Sequence, residues 1–249
     1  MAVDKNWGST LKSIVFDMST MHLHGAAFYD FLRLRKRFFI DSLGWTIPTD
    51  GIVEMDQYDT PLAQYSLVED GGKIIGGARC QPVDSTWGPY SCMIKDAARG
   101  LLEDIPSDLF KPNMSTPTNW EGTRLVVSDD VTSVADRTRC LALIIDGLMR
   151  IIEARGGTSL ITLSPTALYR TTKIVGLKAT QVSRPYVSDD GREYALFASR
   201  VERAIPQLKR FGINPDTYSV TGSERDRVKP TDAEPGNDGP RLRTQTSKP

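Results

Sequence analysis

The longest helical pattern in the sequence, residues 133–155, constrains the fold more than any other segment. Its apolar side chains recur at helical spacing and form one stripe: Leu141, Ile144, Ile145, Leu148, Ile151 and Ile152. Gly156 and Gly157 end the pattern, and the short apolar segment SLITLS follows directly, as a buried strand would. A helix with a single apolar face packs that face against a core. The sequence therefore predicts a layered domain in this region.

Helix and strand patterns alternate along most of the remaining chain. The segments IVFD, AQYSLVED, KIIGGARCQP, NWEGTRLVVS, KATQVS and EYALFAS are predicted strands, and Gly71-Gly72 is a hairpin signal. Helices are predicted over 26–43, where Gly44 is the stop signal, over 91–103, and over TALYRTTKIVG. This order is typical of an α/β domain, which we assign to residues 1–212.

The C-terminal region has a different composition. After about residue 212 the apolar periodicity fades, and residues 222–249 are rich in Pro, Gly, Asp, Arg, Ser and Thr. A segment with so few large apolar side chains cannot offset the entropy lost on ordering. We therefore expect residues 213–249 to form a polar, disordered tail.

Composition excludes several classes of function. The formal net charge is +0, so no bulk field draws the chain to nucleic acid or to an anionic membrane. No run of eighteen apolar residues predicts a membrane span, and the N-terminus has no signal-peptide pattern. Three cysteines lack metal or redox spacing, which favours buried free thiols and a cytoplasmic location. With only two histidines, His22 and His24, both near the N-terminus, a histidine base or a histidine-rich metal site is disfavoured.

Charged residues inside apolar patterns are the candidates for a site. Arg35 lies on the apolar face of the first predicted helix, where it either extends to solvent, pairs with an acid or serves a site. Asp56 and Asp59 belong to a dense acidic stretch, EMDQYD, which is either a solvated turn or a place for a cation. Arg79 and Glu121 interrupt apolar strands. A buried ion-pair network of Arg35, Asp56, Asp59, Arg79, Glu121 and Arg124 is one reading of the whole set.

Alternation along the fourth strand predicts the direction of its polar side chains. Glu121 and Thr123 are expected on one face of that strand, and Arg124 on the other. A glutamate in such a strand is uncommon unless it pairs with an arginine. Arg35, on the apolar face of its helix, is likewise expected to pair with an acid.

Order and spacing of these residues resemble a known family. The run R-x3-F-x5-W-x10-D-x2-D occurs as Arg35, Phe39, Trp45, Asp56 and Asp59. It is followed by an arginine at the end of a strand, Arg79, and by E-x-[ST]-R, here Glu121, Thr123 and Arg124. Together with the phrases LGW, EMDQYD and WEGTR, this resembles the acyl-homoserine-lactone synthases of bacterial quorum sensing over residues 25–200. One departure is Lys95-Asp96-Ala97-Ala98, where such synthases often carry a phenylalanine after the aspartate.

The resemblance implies a fold and a reaction. The expected fold is α/β and similar to the GCN5-related N-acetyltransferases: a twisted mixed sheet flanked by helices, with a cleft between splayed strands. The expected enzyme transfers an acyl group from a thioester to the amine of S-adenosylmethionine (SAM) and then closes the lactone, releasing methylthioadenosine. SAM is a substrate, and no cofactor or metal is implied. An acyltransferase of the same fold that acylates another amine without lactone formation is the alternative.

The resemblance also implies roles for the site residues. Glu121 is expected to act as the base, directly or through water, and Asp56 or Asp59 to hold the cationic end of SAM. Arg35 is expected to hold the carboxylate of SAM, and Phe39 with Trp45 to cover its adenine or sulfonium. The remaining substrate-binding positions are Arg79, Thr123, Arg124 and Ser164. Ser164 is expected at the acyl end of the cleft, although capping of the next helix is an equal alternative.

The resemblance implies an acyl carrier protein as the donor, with acyl-coenzyme A as the other possibility. The stretch SDDVTSVADRTR lacks the glycines with which acetyltransferases cradle the pyrophosphate of coenzyme A. An acidic carrier protein would dock on basic side chains, unless these are ordinary solvated residues. The candidates are Arg150, Arg155, Arg170, Lys173 and Lys178.

Deletion of residues 222–249 is expected to leave folding and activity nearly intact, because this segment offers almost no large apolar side chain for packing. The truncated and full-length chains would be compared by thermal melting and by turnover. A melting temperature lower by several degrees in the truncated chain would show that the segment packs on the domain.

Overall fold

The computed structural model describes residues 11–214 together with the backbone of 220–221. Nine strands form one sheet. They are β1 Lys12–Asp17, β2 Gln64–Asp70, β3 Lys73–Pro82, β4 Asn119–Val127, β5 Ser159–Pro165, β6 Ala179–Gln181, β7 Tyr186–Val187, β8 Glu193–Arg200 and β9 Val220–Thr221. Five α-helices accompany them: α1 Ala27–Arg35, α2 Met93–Ala98, α3 Val134–Ala154, α4 Leu168–Ile174 and α5 Ile205–Arg210.

The sheet is mixed but mainly antiparallel. Its strand order is β6-β8-β5-β4-β3-β2-β1-β9, and β7 pairs with β8. Only β4 with β5 and β1 with β9 run parallel. The expected α/β class, a mixed sheet flanked by helices, is confirmed. The predicted tail lies mostly outside the described residues, and its boundary stays a prediction.

Helices α1 and α3 cover opposite faces of the sheet. The apolar stripe of α3 packs over β1 to β4, with Ile144, Leu148 and Ile152 in the largest buried cluster. On the other face, Phe31 and Leu34 of α1 pack with Tyr65 and Leu67 of β2. The long helix predicted over 133–155 is therefore confirmed, and its single stripe buries against the sheet.

Beyond the middle of the sheet, β4 and β5 separate. Their parallel pairing extends from Asn119↔Ser159 to Gly122↔Thr162. After these residues β4 continues to Val127 beside β3, whereas β5 continues to Pro165 beside β8. The two strands thus diverge and open a cleft, which confirms the predicted cleft between splayed strands.

Two predicted helices differ from the structure. The first continues to Ser42, but Lys36–Ser42 is a π-helical segment, in which the Leu43 amide donates to the Phe38 carbonyl at 3.0 Å. The second is shorter than 91–103, because Gly100 adopts a φ of 75° and the Leu101 amide donates to the Asp96 carbonyl. This is the helix-ending turn that glycine favours, and the sequence carried its signal.

The three cysteines are buried and free, as predicted. Burial raises the pKa of all three thiols well above the ordinary value. None of the helices in the described part is long and apolar enough to cross a membrane. The cytoplasmic location stays a prediction.

Candidate active site

Three arginines and three acids meet in one buried cluster between α1, the loop before β2, and strands β3 and β4. The arginines are Arg35, Arg79 and Arg124, and the acids are Glu54, Asp56 and Asp59. We refer to these six residues as the charged cluster. Arg35, Arg79 and Glu54 are fully buried, and the formal charge of the set is zero. Balance matters because an unpaired buried charge is strongly destabilising.

Each of the three guanidinium nitrogens of Arg35 donates a hydrogen bond to a carboxylate. Its Nε donates to Glu54 Oε2 at 2.5 Å, and Nη1 and Nη2 donate to the two oxygens of Asp59 at 2.8 and 2.9 Å. Its guanidinium also lies 5.6 Å from the centre of the Phe31 ring. Arg35 therefore does not extend to solvent, and one of the alternatives left open by the sequence is settled.

Arg79 and Arg124 both bind Asp56. Arg79 donates to both oxygens of Asp56, at 2.5 and 3.1 Å, and through Nε to Thr123 Oγ1 at 3.1 Å. Arg124 Nη2 lies 3.1 Å from Glu54 and 2.7 Å from Asp56. The Arg124 side chain is 10% exposed, compared with 0% for Arg35 and Arg79. Arg124 is thus the cluster cation that reaches the surface of the site.

A bulge in β4 turns the Arg124 side chain away from its predicted direction. Between Gly77↔Val126 and Arg79↔Thr123, β4 uses one residue more than β3. Arg124 lies in this bulge and has a φ of 55°. Simple alternation would place its side chain opposite Thr123, but the bulge aims it at Asp56, which Arg79 also binds, and at Glu54. The prediction of opposite faces was therefore wrong.

Electrostatics of the cluster favour the ionised acids. Burial opposes ionisation of Asp56 and Asp59, but the neighbouring arginine charges, Arg79 foremost, hold the pKa of both carboxyls below its usual range. Tyr65 donates from Oη to Asp59 at 2.9 Å, and the amide of Asp56 donates to Asp59 Oδ2 at 2.9 Å. These bonds fix the two carboxylates relative to each other.

Among the described residues, Glu121 forms no ion pair with an arginine. Its Oε1 accepts from the Ile94 amide at 2.8 Å, and Oε2 accepts from the Met93 amide at 3.0 Å and from Gln81 Nε2 at 3.4 Å. Glu121 is fully buried, and this burial raises the pKa of its carboxyl. The sequence-based expectation that an arginine pairs with Glu121 was wrong. The backbone at the start of α2 satisfies it instead.

Phe39 and Trp45 form an aromatic pair beside the cluster. Their rings are stacked with centroids 4.9 Å apart, and the Arg124 guanidinium lies 5.4 Å from the centre of the Phe39 ring. The π-helical segment carries Phe39, and Gly44, with a φ of 71°, turns the chain towards Trp45. The structure therefore brings Arg35, Phe39, Trp45, Asp56, Asp59, Arg79, Thr123 and Arg124 together.

Ser164 is not part of this group. It is half-buried on β5, opposite Ala195 of β8, beyond the point where β4 and β5 separate. Helix α4 begins at Leu168, and its N-cap is Ala167, without a side-chain cap. Capping by Ser164 is therefore wrong, and its expected place at the acyl end of the cleft stays a prediction.

Glu54 is the member of the cluster that sequence reasoning missed. It lies in the acidic stretch already noted, and its amide donates to the Leu32 carbonyl at 3.2 Å. Charge balance was the available signal: Asp56 and Asp59 neutralise only two of three buried arginines. The missing acid was sought in Glu121 and is found in Glu54.

The comparisons with known proteins identify the family. The family model described as "Autoinducer synthase" matches residues 19–204, about three quarters of the chain. This chain belongs to that family. It is accordingly an acyltransferase enzyme.

Individual relatives agree with this assignment. The acyl-homoserine-lactone synthase of Acinetobacter nosocomialis is 27% identical over 178 residues, which cover 69% of this chain and 90% of the relative. The structure of a CoA-dependent acyl-homoserine lactone synthase, BjaI, with SAM and isopentyl-CoA superposes with a TM-score of 0.68 at 18% identity, over 85% of this chain and 94% of that chain. TofI in a ternary complex with an inhibitor and MTA superposes with a TM-score of 0.59 at 22% identity, over 82% and 98%. Both superpositions show the shared fold.

Replacing Arg35 by methionine is expected to destabilise the fold by about 3–5 kcal/mol at neutral pH, because it strands Glu54 and Asp59 without their main partner. The depressed pKa of Asp59 contributes stability above about pH 4, and this contribution is lost as the pH falls. The deficit of the variant is therefore expected to shrink in acid.

Thermal melting of Arg35→Met at pH 7 and near pH 4 would check both statements. Arg33→Met is the matched control, because Arg33 is exposed on the same helix and lies 4.0 Å from Asp30. Equal losses of melting temperature in the two variants would contradict a stabilising role of the charged cluster.

Proposed function

We propose that the chain makes acyl-homoserine lactone by transferring an acyl group from a thioester to the amine of SAM, followed by ring closure. The observation that carries this proposal is the charged cluster, with its Phe39–Trp45 stack, set beside the cleft between β4 and β5. An acceptor that carries a sulfonium, an ammonium and a carboxylate needs both signs of charge and an aromatic surface. These groups lie together here, in a member of the autoinducer synthase family.

The least buried members of the cluster would contact the acceptor. Arg124, whose side chain is 10% exposed, would hold the carboxylate of SAM, and Asp56 at 4% the ammonium. Arg35 and Asp59 bind each other at the centre, so we assign them to the support of Asp56 and Arg79. One charge pair at 4 Å contributes about 4 kcal/mol before desolvation at an effective dielectric near 20, so several contacts must act together.

Phe39 and Trp45 would cover the adenine or the sulfonium. A sulfonium held against an aromatic face gains the same electrostatic attraction as other cations. Because Arg124 already lies over the Phe39 ring, the outer face of the pair, formed by Trp45, is the better surface for the acceptor. Trp45 is half-buried, as a side chain at the mouth of a site would be.

Acyl transfer requires a neutral amine. An α-amino group titrates near pH 8, so a base or a water relay is sufficient. We assign this role to Glu121, because its raised pKa brings it nearer to that of an amine than an exposed glutamate would be. A carboxylate has about four acceptor positions, and the described contacts of Glu121 use three, which leaves one for the amine or a water. The backbone edge of β4 beyond Gly122, where its pairing with β5 ends, would supply the N–H groups for the oxyanion.

Ring closure needs no further side chain. The carboxylate oxygen of the acylated intermediate attacks its own γ-carbon, a C–O bond forms, and the C–S bond breaks. The sulfonium takes the electron pair and leaves as the neutral thioether, methylthioadenosine. The role of the site in this step would be to hold the acylated intermediate in a conformation in which its carboxylate oxygen meets its γ-carbon.

The donor is proposed to be an acyl thioester, with acyl carrier protein as the expected carrier. Existing ion pairs distinguish the basic candidates for its docking. Arg150, Arg155 and Lys178 pair with acids of the chain at 2.9, 3.0 and 3.2 Å. Exposed Arg170 and Lys173 on α4 are the better candidates, and α4 follows the end of β5, where Ser164 would line the acyl part of the cleft.

Acyl-coenzyme A is the competing donor, since the BjaI structure is described as CoA-dependent.

Purified protein is expected to release methylthioadenosine from SAM only when an acyl thioester is present, because lactone closure must follow acylation of the amine. The measurement is chromatography of the products with matched acyl-carrier-protein and acyl-coenzyme A donors. Amide without lactone would support the alternative, an acyltransferase of another amine. No consumption of SAM with either donor series would remove the proposal.

Glu121→Gln is expected to lower turnover and also to lower stability, since the amide nitrogen cannot accept the hydrogen bond from Met93 or Ile94. The substitution therefore removes more than a base. The base role is therefore read from the pH profile. In the wild type the rate should fall as the pH drops through the raised pKa of Glu121, because the protonated carboxyl accepts no proton.

The same acid limb should be absent in Glu121→Gln, whose residual rate would follow the amine alone. Binding of SAM, measured by calorimetry below the melting transition of the variant, should stay close to that of the wild type. An unchanged acid limb in the variant would assign the proton transfer to solvent or to another group.

A further inference from the structure

The two halves of the sheet lose their backbone connection at the cleft. After Gly122↔Thr162, β4 stays with β3 and β5 stays with β8. Any contact that joins the halves beyond this point must come from side chains or loops. The structure contains such a contact at the mouth of the cleft, between Trp45 and Asp190.

Trp45 belongs to the β4 side of the cleft. Its ring stacks on Phe39 at 4.9 Å, and Phe39 faces the Arg124 guanidinium at 5.4 Å. Asp190 belongs to the other side. It lies in the turn between β7 and β8. The first residues of β8 pair with the end of β5 through Tyr194↔Pro165. Trp45 Nε1 donates to Asp190 Oδ2 at 3.2 Å, so the hydrogen bond crosses the gap between the diverging strands.

Asp190 is itself held in place. Tyr194 donates from Oη to the same oxygen, Oδ2, at 2.7 Å, and the Arg192 amide donates to Oδ1 at 3.0 Å. Burial opposes ionisation, but these bonds and the charge of Arg192 outweigh it and lower the pKa of Asp190. The indole therefore donates to a fixed carboxylate, which is a stronger bond than one to a neutral acceptor.

We propose that Asp190 is a positioning residue for the acceptor site: it fixes the Trp45 indole from the opposite side of the cleft, so that the wall formed by Trp45 is complete only when both halves are joined. The proposal rests on the proposed function, in which Trp45 covers SAM. Trp45 has one face on Phe39, and its nitrogen is its only hydrogen-bonding group. Without Asp190, the indole keeps its stacking and loses the bond that sets its orientation.

Binding of SAM to Asp190→Ala tests the role. The dissociation constant and the KM for SAM are expected to rise about fivefold, the effect of losing one hydrogen bond, while kcat at saturating SAM changes less than about twofold. Asp189→Ala is the matched control, since Asp189 is the exposed neighbour in the same turn, and it should bind as the wild type does. Asp190→Asn keeps an acceptor oxygen and should recover part of the affinity. Unchanged SAM binding in Asp190→Ala would overturn the proposal.

A second measurement is independent of the reaction. In protein with ¹⁵N-labelled tryptophan, the Trp45 indole N–H resonance is assigned from its absence in Trp45→Phe. Asp190→Ala should shift this resonance upfield and speed its exchange with water, whereas Asp189→Ala should leave it in place. An unchanged resonance in Asp190→Ala would overturn the proposal. If the resonance shifts but the wild type binds no SAM, the proposed function fails and the positioning role fails with it, although the bond itself is verified.

Discussion

The mutual neutralisation of three arginines and three acids, most of them fully buried, is the constraint on which the rest of the site depends. Glu54 bonds Arg35 and Arg124, Asp59 bonds Arg35, and Asp56 bonds Arg79 and Arg124. Each residue thus completes the requirements of at least one other, and the removal of one partner leaves a charge in a medium that solvates it poorly. The loop before β2, helix α1 and strands β3 and β4 are held together by these bonds. The positions of Arg124 and Asp56, the two members that would face the acceptor, follow from them.

The ion pairs of the charged cluster depend on irregular backbone in two places. The bulge at Arg124 interrupts the ladder between β3 and β4, and the π-helical segment interrupts the regular helix after Arg35. Regular geometry would point Arg124 to the opposite face of the sheet, away from Glu54 and Asp56. Bulges and π-helical turns commonly occur at functional sites, where they redirect a side chain. Here two such irregularities bring Arg124 and Phe39 within 5.4 Å of each other.

Much of the fold could be predicted from the sequence, and the reasons are local. The stripe of α3, the Gly71-Gly72 hairpin and the glycines after each helix are short-range signals, and they agree with the structure. Most motif residues also lie close together in the structure. What could not be predicted depends on three-dimensional register: the bulge that turns Arg124, the backbone amides that satisfy Glu121, and the bond from Trp45 to Asp190, 145 residues away. No periodicity in the sequence encodes these contacts.

The buried thiols have a practical consequence for anyone who follows this reaction. Cys80, Cys92 and Cys140 are the only cysteines of the chain, all three are fully buried, and burial keeps each of them protonated at neutral pH. A protonated, inaccessible thiol reacts neither with a thioester nor with a disulfide reagent. With the thioester donor proposed above, the native enzyme would therefore form no acyl-cysteine side product. It also contributes no background when the thiol released from that donor is titrated continuously with a chromogenic disulfide.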